Sequence, residues 1–205
     1  MAVDETRAHW EAVYRDKAAH ELSWYQEEPQ ISCALIGADP DTPLDVLDVG
    51  GGQSALAARL ATDGHRVTVL DLASEALARG RRRAGALASR IRWVQGDVTE
   101  DPIDGTFDVW HDRAVFHFLT TPQARENYAD ALHRRLRPNG RAVIGTFGID
   151  GPERCSNLPV CRYEPSGLVD ALGGNLELES SQNLVHATPW GSQQSFLFVV
   201  VRRSR

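Results

Sequence analysis

Apolar and polar residues alternate along the middle of the chain in a pattern that predicts strands separated by helices. Short apolar runs typical of buried strands occupy five stretches: 44–49, 65–71, 90–97, 107–112 and 141–147. Helical spacing of apolar residues follows the first, second and fourth runs, over 54–61, 74–83 and 122–136. Strands and helices that alternate in this way predict a parallel sheet with helices on both faces.

The last third of the chain has a different pattern. A loop rich in glycine and proline at 148–159 precedes a short predicted helix at 165–172. Two strand-like runs follow at 176–188 and 194–201, joined by the turn sequence PWGS. Since a parallel pair needs a long crossover, so short a connection predicts that these two strands pair antiparallel.

Length and charge restrict the classes of protein that fit this pattern. With 205 residues, 42% of them hydrophobic, the chain has the size and composition of one soluble globular domain. Its net charge of −6 gives no support for binding a phosphate backbone, and the arginines at 79 and 81–83 are interpreted as a solvated helix end. Three cysteines, no leader-like start and no apolar run of about 20 residues predict a cytoplasmic protein without a membrane span.

Three consecutive glycines, Gly50, Gly51 and Gly52, follow the first predicted strand. A glycine turn at this place brings the main chain close to a ligand at the start of the next helix. The spacing alone does not choose the ligand. Ala55 stands where the dinucleotide pattern tolerates alanine, so a nicotinamide-dependent oxidoreductase is still open on this evidence.

Acidic residues mark the ends of three successive predicted strands. Asp71, about 20 residues beyond the glycines, suits a ribose diol held by a carboxylate. Asp97 with Val98 suits the amine and the ring face of an adenine. Asp48 would repel a pyrophosphate and so favours a ligand that carries a cation or an amine. One such acid often only caps a strand end, but three in succession indicate a ligand site.

Four segments make the sequence resemble the class I S-adenosylmethionine-dependent methyltransferases. They are LDVGGGQS, VTVLD, VQGDV and FDVWHDRAVF, which begin at residues 47, 67, 94 and 107. Ser54 replaces the last glycine of the family's common first motif, at a place where serine can start a helix. The resemblance implies an α/β, Rossmann-like three-layer sandwich with a seven-stranded, mostly parallel sheet and an antiparallel last strand. It also implies S-adenosylmethionine as methyl donor and S-adenosylhomocysteine as product.

The resemblance covers most of the chain and implies a single methyltransferase domain over 1–205. We divide it into an N-terminal helical lid segment (1–40), a cofactor-binding half (44–147) and a part with the substrate-side loop and antiparallel strands (148–205). The residues expected to bind the cofactor are Trp24, Asp48, Gly50, Gly51, Gly52, Asp71, Leu72, Asp97 and Val98.

The N-terminal segment contributes aromatic residues to this expectation. Trp10 and Tyr14 lie about one turn apart on a predicted helix and are interpreted as core. Trp24 and Tyr25 stand in a polar stretch between helices, where they are better candidates for a lid. An aromatic face over a sulfonium gains cation–π attraction of order 1 kcal/mol or more. We therefore assign Trp24 to the cofactor and Tyr25 to the substrate.

This segment and the sequence WHDR at 110–113 resemble the thiopurine, thiol and halide methyltransferase branch. They also resemble small protein-lysine methyltransferases, which usually have an acid-Lys-Gly-Thr sequence there, so Asp112 and Arg113 favour the first branch. The predicted function is methyl transfer to a small molecule, with a thiol or other soft nucleophile as acceptor. The alternative is a protein lysine; an oxidoreductase of the NAD type and a non-catalytic cofactor-binding module are less favoured.

Four candidate catalytic residues lie at the end of the fourth predicted strand or just after it. A thiolate acceptor needs little help, whereas an oxygen or nitrogen acceptor of high pKa needs a base, for which His111 and His117 are candidates. His117 is expected one helical turn after Arg113 and facing the same way. Arg113 is suited to an acidic substrate group or the cofactor's carboxylate, and Asp112 belongs to the same motif.

The loop after the fifth strand is the expected substrate wall. Cys155 and Tyr163 are predicted to line it, and Cys161 lies nearby. The cysteines do not form a C-x-x-C pair, so no metal site is predicted. Neither a nucleic acid nor a membrane is expected as a partner, and the sequence gives no oligomeric state.

Overall fold

The computed structural model describes residues 3–39 and 41–204, so the outer limits of the predicted lid segment, 1 and 40, and of the domain, 205, lie outside the described residues. The helices are α1 Val3–Asp16, α2 Gln30–Ile36, α3 Leu56–Thr62, α4 Ser74–Ala84, α5 Pro122–Arg135 and α6 Pro165–Leu172. The longer strands are β1 Asp45–Val49, β2 Arg66–Asp71, β3 Ile91–Gln95, β4 Phe107–Arg113, β5 Leu136–Gly148, β9 Leu176–Ala187 and β10 Gln193–Arg203. Three two-residue strands lie between β5 and α6: β6 Arg154–Cys155, β7 Leu158–Pro159 and β8 Arg162–Tyr163.

The seven longer strands form one sheet in the order β3-β2-β1-β4-β5-β10-β9. The first five run parallel to their neighbours, and β10 lies antiparallel between β5 and β9. The short strand β8 adds a parallel pairing at the end of β5. The α/β class, the seven-stranded and mostly parallel sheet, and the antiparallel pairing of the C-terminal strands are thereby confirmed.

Helices cover both faces of the sheet. Buried residues of α5 and α6, such as Tyr128 and Leu168, pack in one core on one face. Buried residues of α2, α3 and α4, such as Ile36, Leu56 and Leu77, pack in a second core on the other. Among the described residues, no helix is both long and apolar enough to cross a membrane.

The N-terminal helix α1 packs against α4 and caps it. Ser74 is the first helical residue of α4, and Ala73 before it has no side chain that could cap the helix. The carboxylate of Glu11 instead accepts the main-chain N–H groups of Ser74 at 2.6 Å and Glu75 at 3.1 Å. A helix start leaves such N–H groups without intrahelical partners, so an acid from α1 satisfies them and fixes the lid segment to the sheet's helical layer.

The segment after β4 is not the helix that the sequence predicts. Arg113 is the last residue of β4, and Ala114 has a positive φ of 75°. His117 follows in a short 3₁₀ turn, Phe116–Phe118. The expected helical pairing of Arg113 with His117 is therefore wrong, because one residue ends a strand and the other lies in a separate 3₁₀ turn.

Candidate active site

Two adjoining cavities open where β1 to β4 end. The first, cavity A, has a volume of about 140 Å³ and lies beyond β2 and β3. The second, cavity B, has a volume of about 60 Å³ and lies between β1, β4, α2 and the N-terminal segment. Both cavities are lined by Tyr14, Trp24, Val49, Gly50 and Arg113. They therefore meet at the glycine turn.

Cavity A contains the acidic residues that the sequence singles out at the ends of β2 and β3. Asp71 and Leu72 line one side, and Asp97 and Val98 line another. Apolar side chains complete the lining: Leu70, Val115, Phe118 and Leu119. Two carboxylates at the edge of an otherwise apolar cavity are suited to a ligand with a flat apolar body and a few hydrogen-bond donors.

Two of the three glycines, Gly51 and Gly52, let a carboxylate approach the main chain of the turn. Gly50 has a φ of 66°, and its N–H bonds to the Leu70 oxygen at 2.7 Å. A Cβ atom on Gly51 would collide with the carboxylate of Asp48. One on Gly52 would lie 2.7 Å from Asp71 Oδ2, although Gly52 lines neither cavity. The absence of side chains on Gly51 and Gly52 thus leaves space beside the main chain between Asp48 and Asp71. We call these four residues the glycine cradle.

Burial is the main influence on the pKa of Asp71. Desolvation raises the pKa of its carboxyl to about 7, and the nearby charge of Asp48 acts in the same direction. The main-chain N–H of Ala73 donates to Asp71 at 2.9 Å and opposes that rise. Hydroxyl donors from a ligand would stabilise the charged form further, as a ribose diol does.

Asp97 is oriented by its own turn. Its Oδ1 accepts the N–H of Thr99 at 2.8 Å and the Thr99 hydroxyl at 2.7 Å, and so caps the short 3₁₀ helix Val98–Glu100. This local bonding fixes the carboxylate at the edge of cavity A and turns the buried Val98 toward it.

Aromatic rings from the N-terminal segment cover both cavities. The ring of Trp24 packs edge-on against Trp10 at 5.7 Å and Tyr14 at 6.2 Å, measured between centroids. Trp10 also meets Phe118 at 5.1 Å. Trp10 and Tyr14, expected as core residues, thus also line the cavities. The sequence of α1 alone does not show this second role of Trp10 and Tyr14, because it depends on where the helix lies over the cavities.

Two long-range hydrogen bonds fasten this cover to the sheet. Arg113 donates to the main-chain oxygen of Trp24 at 2.9 Å, and His186 Nε2 donates to that of Ser23 at 2.6 Å. Arg113 is partly buried, which lowers the pKa of its guanidinium to about 10. Within residues 3–39 and 41–204 it forms no ion pair, so a cation that faces both cavities is available to an anionic group.

A buried polar chain stands in the wall of cavity B. His111 Nδ1 lies 2.7 Å from Asp48 Oδ1, and His111 Nε2 lies 2.9 Å from Ser32 Oγ. The other oxygen of Asp48, Oδ2, is buried without a partner in the described chain. Ser32 was missed by the sequence analysis. Its one signal is a hydroxyl on the face of α2 that also carries the buried Ile36.

Asp112 and His117 line neither cavity. Asp112 is fully buried and accepts the N–H groups of Val115 and Phe116 and the Tyr128 hydroxyl, at 2.7 to 3.0 Å. Burial raises the pKa of Asp112 to about 6 and lowers that of His117 to about 3. Both residues thus lie away from the two cavities: Asp112 shapes the turn that carries Val115, and His117 is a packed neutral imidazole. A catalytic role for either stays a prediction.

Of the three predicted substrate residues, one lines a cavity and two do not. Tyr25 lines cavity B, with the guanidinium of Arg83 over its ring at 5.7 Å. Cys155 is buried on β6, where desolvation raises the pKa of its thiol to about 11, and it lines neither cavity. Tyr163 packs against Phe116 at 5.7 Å and also lies outside both cavities. Among the described residues, no three His, Cys, Asp or Glu side chains are placed to hold a metal ion.

Comparison with known proteins adds to this geometry. Residues 46–140 match a family model described as a methyltransferase domain. The chain is 27% identical to the solved Burkholderia thailandensis 1,6-didemethyltoxoflavin-N1-methyltransferase, which was determined with 1,6-didemethyltoxoflavin and S-adenosylhomocysteine bound. The TM-score is 0.70, and the match covers 100% of this chain and 92% of that one. These matches show a methyltransferase domain over residues 46–140 and support S-adenosylmethionine as the methyl donor.

Two curated methyltransferases are similar to this chain. The 2-heptyl-1-hydroxyquinolin-4(1H)-one methyltransferase of Mycobacteroides abscessus is 29% identical over 161 residues, which are 72% of this chain and 70% of that protein. The ubiquinone/menaquinone biosynthesis C-methyltransferase UbiE of Roseobacter denitrificans is 40% identical over 108 residues, or 50% of this chain. The chain spans 42 to 45% of the length of such UbiE proteins. These matches select neither the thiopurine, thiol and halide branch nor the protein-lysine branch.

The residues of the methyltransferase fit S-adenosylmethionine. The partnerless oxygen of Asp48 suits an ammonium group, and the glycine cradle leaves room for a ligand against the main chain. Asp71 suits the ribose, and Asp97 with Val98 suits the adenine. Trp24 lies where cavities A and B meet and is suited to a cation.

Proposed function

We propose that this chain transfers the methyl group of S-adenosylmethionine, whose ammonium group reaches Asp48 in cavity B, to a small-molecule acceptor held beside it in that cavity. The observation that carries the proposal is the meeting of two cavities at Gly50 under one aromatic cover. Cavity A has the acids and apolar walls that an adenosine needs, and cavity B adjoins it on the side of Asp48. A donor and an acceptor in these two cavities would approach each other beneath Trp24.

The chain's own residues supply binding and orientation in this scheme. When bound, S-adenosylmethionine supplies an electrophilic methyl group on a sulfonium with a leaving group already built in. Asp71, Asp97 and Asp48 hold the donor's ribose, adenine and ammonium groups. Arg113 holds a carboxylate of the donor or an anionic group of the acceptor, and the aromatic cover excludes water. Placement of the acceptor atom about 3 Å from the methyl carbon then provides most of the rate enhancement.

The fastening of the cover favours a small acceptor over a protein side chain. Glu11 ties the cover to α4, Arg113 ties it to β4, and His186 ties it to β9. A cover held at three places narrows the access to the cavities above the sheet, which favours a small molecule over a protein segment. The names of two relatives, which specify a toxoflavin precursor and a hydroxyquinolone, also support a small heterocyclic acceptor.

The alternatives predict different results in two measurements. Calorimetric titration with S-adenosylmethionine should show binding; its absence contradicts the proposal, and a shift in melting temperature with a nicotinamide dinucleotide instead would favour an oxidoreductase. A cell lysate labelled with the methyl-tritiated donor should show label in small molecules. Label in protein bands would favour the lysine alternative, and binding without any turnover would favour a non-catalytic module.

A further inference from the structure

The proton positions in the chain Ser32–His111–Asp48 follow from what each group can donate. An ionised carboxylate only accepts, so Nδ1 of His111 carries a proton and donates it to Asp48. For His111 to act as a base, its Nε2 has to be a lone pair, which accepts the hydroxyl proton of Ser32. Proton transfer along these hydrogen bonds runs in one direction, because Ser32 can pass its proton to His111 while Asp48 stabilises the imidazolium that results.

The exposed end of this chain is in cavity B. Ser32, His111 and Asp48 are each only 2 to 3% exposed, yet all three line the cavity. Within the described residues, Ser32 Oγ bonds only to His111, so its lone pairs are free to accept a donor from a molecule in the cavity. Among the residues that line cavity B, His111 is the only imidazole and Asp48 the only carboxylate. No other base there competes for the acceptor's proton.

We propose that Ser32, supported by His111 and Asp48, removes the proton of a hydroxyl or amine acceptor during methyl transfer. This inference rests on the proposed function and makes its acceptor class specific: a group that still holds its proton at neutral pH, in place of the thiol expected from the sequence. Ser32 is the catalytic residue, since it touches the acceptor. His111 and Asp48 act through it as positioning residues.

The transfer balances in atoms and charge. As the acceptor atom forms its bond to the methyl carbon, the bond from that carbon to sulfur breaks and its electron pair stays on the sulfur. The acceptor's proton moves to Ser32 Oγ, and the Ser32 proton moves to His111 Nε2. The imidazolium is paired with Asp48 until it releases its proton to water, which restores the starting state.

Matched acceptors that differ only in the accepting atom provide the test. Phenol with thiophenol, and 8-hydroxyquinoline with 8-mercaptoquinoline, are assayed with S-adenosylmethionine between pH 6 and pH 10. Ser32→Ala and His111→Gln should lower kcat for the hydroxyl member about 100-fold at pH 7. They should leave the thiol member nearly unchanged, because it is already ionised. The loss should shrink as the pH approaches the acceptor's own pKa, and Ser32→Thr should restore activity.

A second buried histidine offers a matched control. His65 accepts the Leu44 N–H through Nδ1 and lies outside both cavities, so His65→Gln should leave both acceptors unaffected. Nitrogen NMR of histidine-labelled protein without cofactor gives a readout that does not depend on turnover. It should show His111 protonated at Nδ1 alone, with its Nε2 signal shifted in Ser32→Ala but not in His65→Gln.

The outcomes separate the two proposals. Equal losses on hydroxyl and thiol acceptors, or a His111 protonated at Nε2 in the wild type, overturn the proton transfer. So does S-adenosylmethionine binding without turnover of either hydroxyl acceptor, which leaves the cofactor site in place. A lack of S-adenosylmethionine binding overturns the proposed function itself.

Discussion

Arg113, at the end of β4, donates a hydrogen bond to the main-chain oxygen of Trp24, 89 residues earlier in the chain. One guanidinium thereby fixes the aromatic cover and also presents a cation to both cavities. Arg113→Gln removes the charge, and a hydrogen bond from a charged donor contributes about 1.5 to 3 kcal/mol. Calorimetry should therefore show S-adenosylmethionine bound about 10-fold more weakly or worse.

Two further variants complete this prediction. Arg113→Lys keeps the charge and should recover part of the affinity. Arg81→Gln removes an exposed guanidinium that stacks on Trp93 away from the cavities, and it should bind like the wild type. Unchanged affinity in Arg113→Gln would show that the guanidinium serves neither role.

The raised pKa of Asp71 makes stability depend on pH. Its carboxyl titrates at about 7 in the folded chain instead of 3.8, so between these values the folded state holds a proton that the unfolded state has lost. The free energy of unfolding therefore falls as the pH rises through that window. Asp71→Asn removes this titration. Without cofactor at pH 8, the free energy of unfolding of this variant should exceed that of the wild type by on the order of 2 kcal/mol. Urea unfolding measures the difference.

The advantage of Asp71→Asn should be much smaller at pH 4, where the wild-type carboxyl is protonated in the folded state. The exposed Asp150→Asn serves as the control, and its pH dependence should match that of the wild type. A wild-type protein whose stability rises from pH 4 to pH 7 while that of Asp71→Asn stays flat would contradict the expected direction of the pH dependence.

The same substitution, which should stabilise the cofactor-free protein, should weaken the binding of S-adenosylmethionine. A carboxylate accepts hydrogen bonds from both hydroxyls of a ribose, whereas an amide presents only one oxygen. Asp71→Asn should therefore bind S-adenosylmethionine at least about 10-fold more weakly at pH 8, as measured by calorimetry. Full affinity in this variant would place the ribose elsewhere.

Trp24 gives a prediction about the aromatic cover. Trp24→Ala removes the ring that lies between cavities A and B and packs against Trp10. Loss of a cation–π contact and of the cover should weaken S-adenosylmethionine binding about 5- to 10-fold, and Trp24→Phe should keep most of it. Trp190, which is 59% exposed, provides the matched deletion. If Trp190→Ala lowers affinity as much as Trp24→Ala does, the cover has no specific role.

Gly51 tests the cradle itself. A methyl group there would displace the Asp48 carboxylate, which also orients His111. Gly51→Ala should abolish detectable S-adenosylmethionine binding in calorimetry. Gly167→Ala, at a helical glycine with open space around it, should leave binding unchanged and keep or raise the melting temperature. Normal binding by Gly51→Ala would mean that the carboxylate can move without cost to the site.

The sheet and the grouping of Asp71 with Asp97 in one cavity were predictable because they depend on local signals. Asp71 and Asp97 end predicted strands that the structure places side by side, so their meeting in cavity A follows from strand adjacency alone. The antiparallel β9 and β10 follow from the shortness of the turn between them.

Cavity B was harder to predict because its parts come from distant places in the sequence. Ser32 and His111 are 79 residues apart, and no local pattern around either indicates the other. His117 was misplaced because Phe116 and Phe118 give an apolar pattern that suits a helix, whereas the positive φ of Ala114 turns the chain first. That conformation is rare for alanine and is imposed by the surrounding fold.

The hydrogen bond from His186 to the oxygen of Ser23 spans 163 residues. It has a consequence for the order in which the protein matures during synthesis. Every residue that lines cavities A and B has been made once the ribosome has passed Leu119. The bond that holds Ser23 has to wait for β9, which pairs with the sheet only through β10. The aromatic cover is thus translated before the sheet and secured after it.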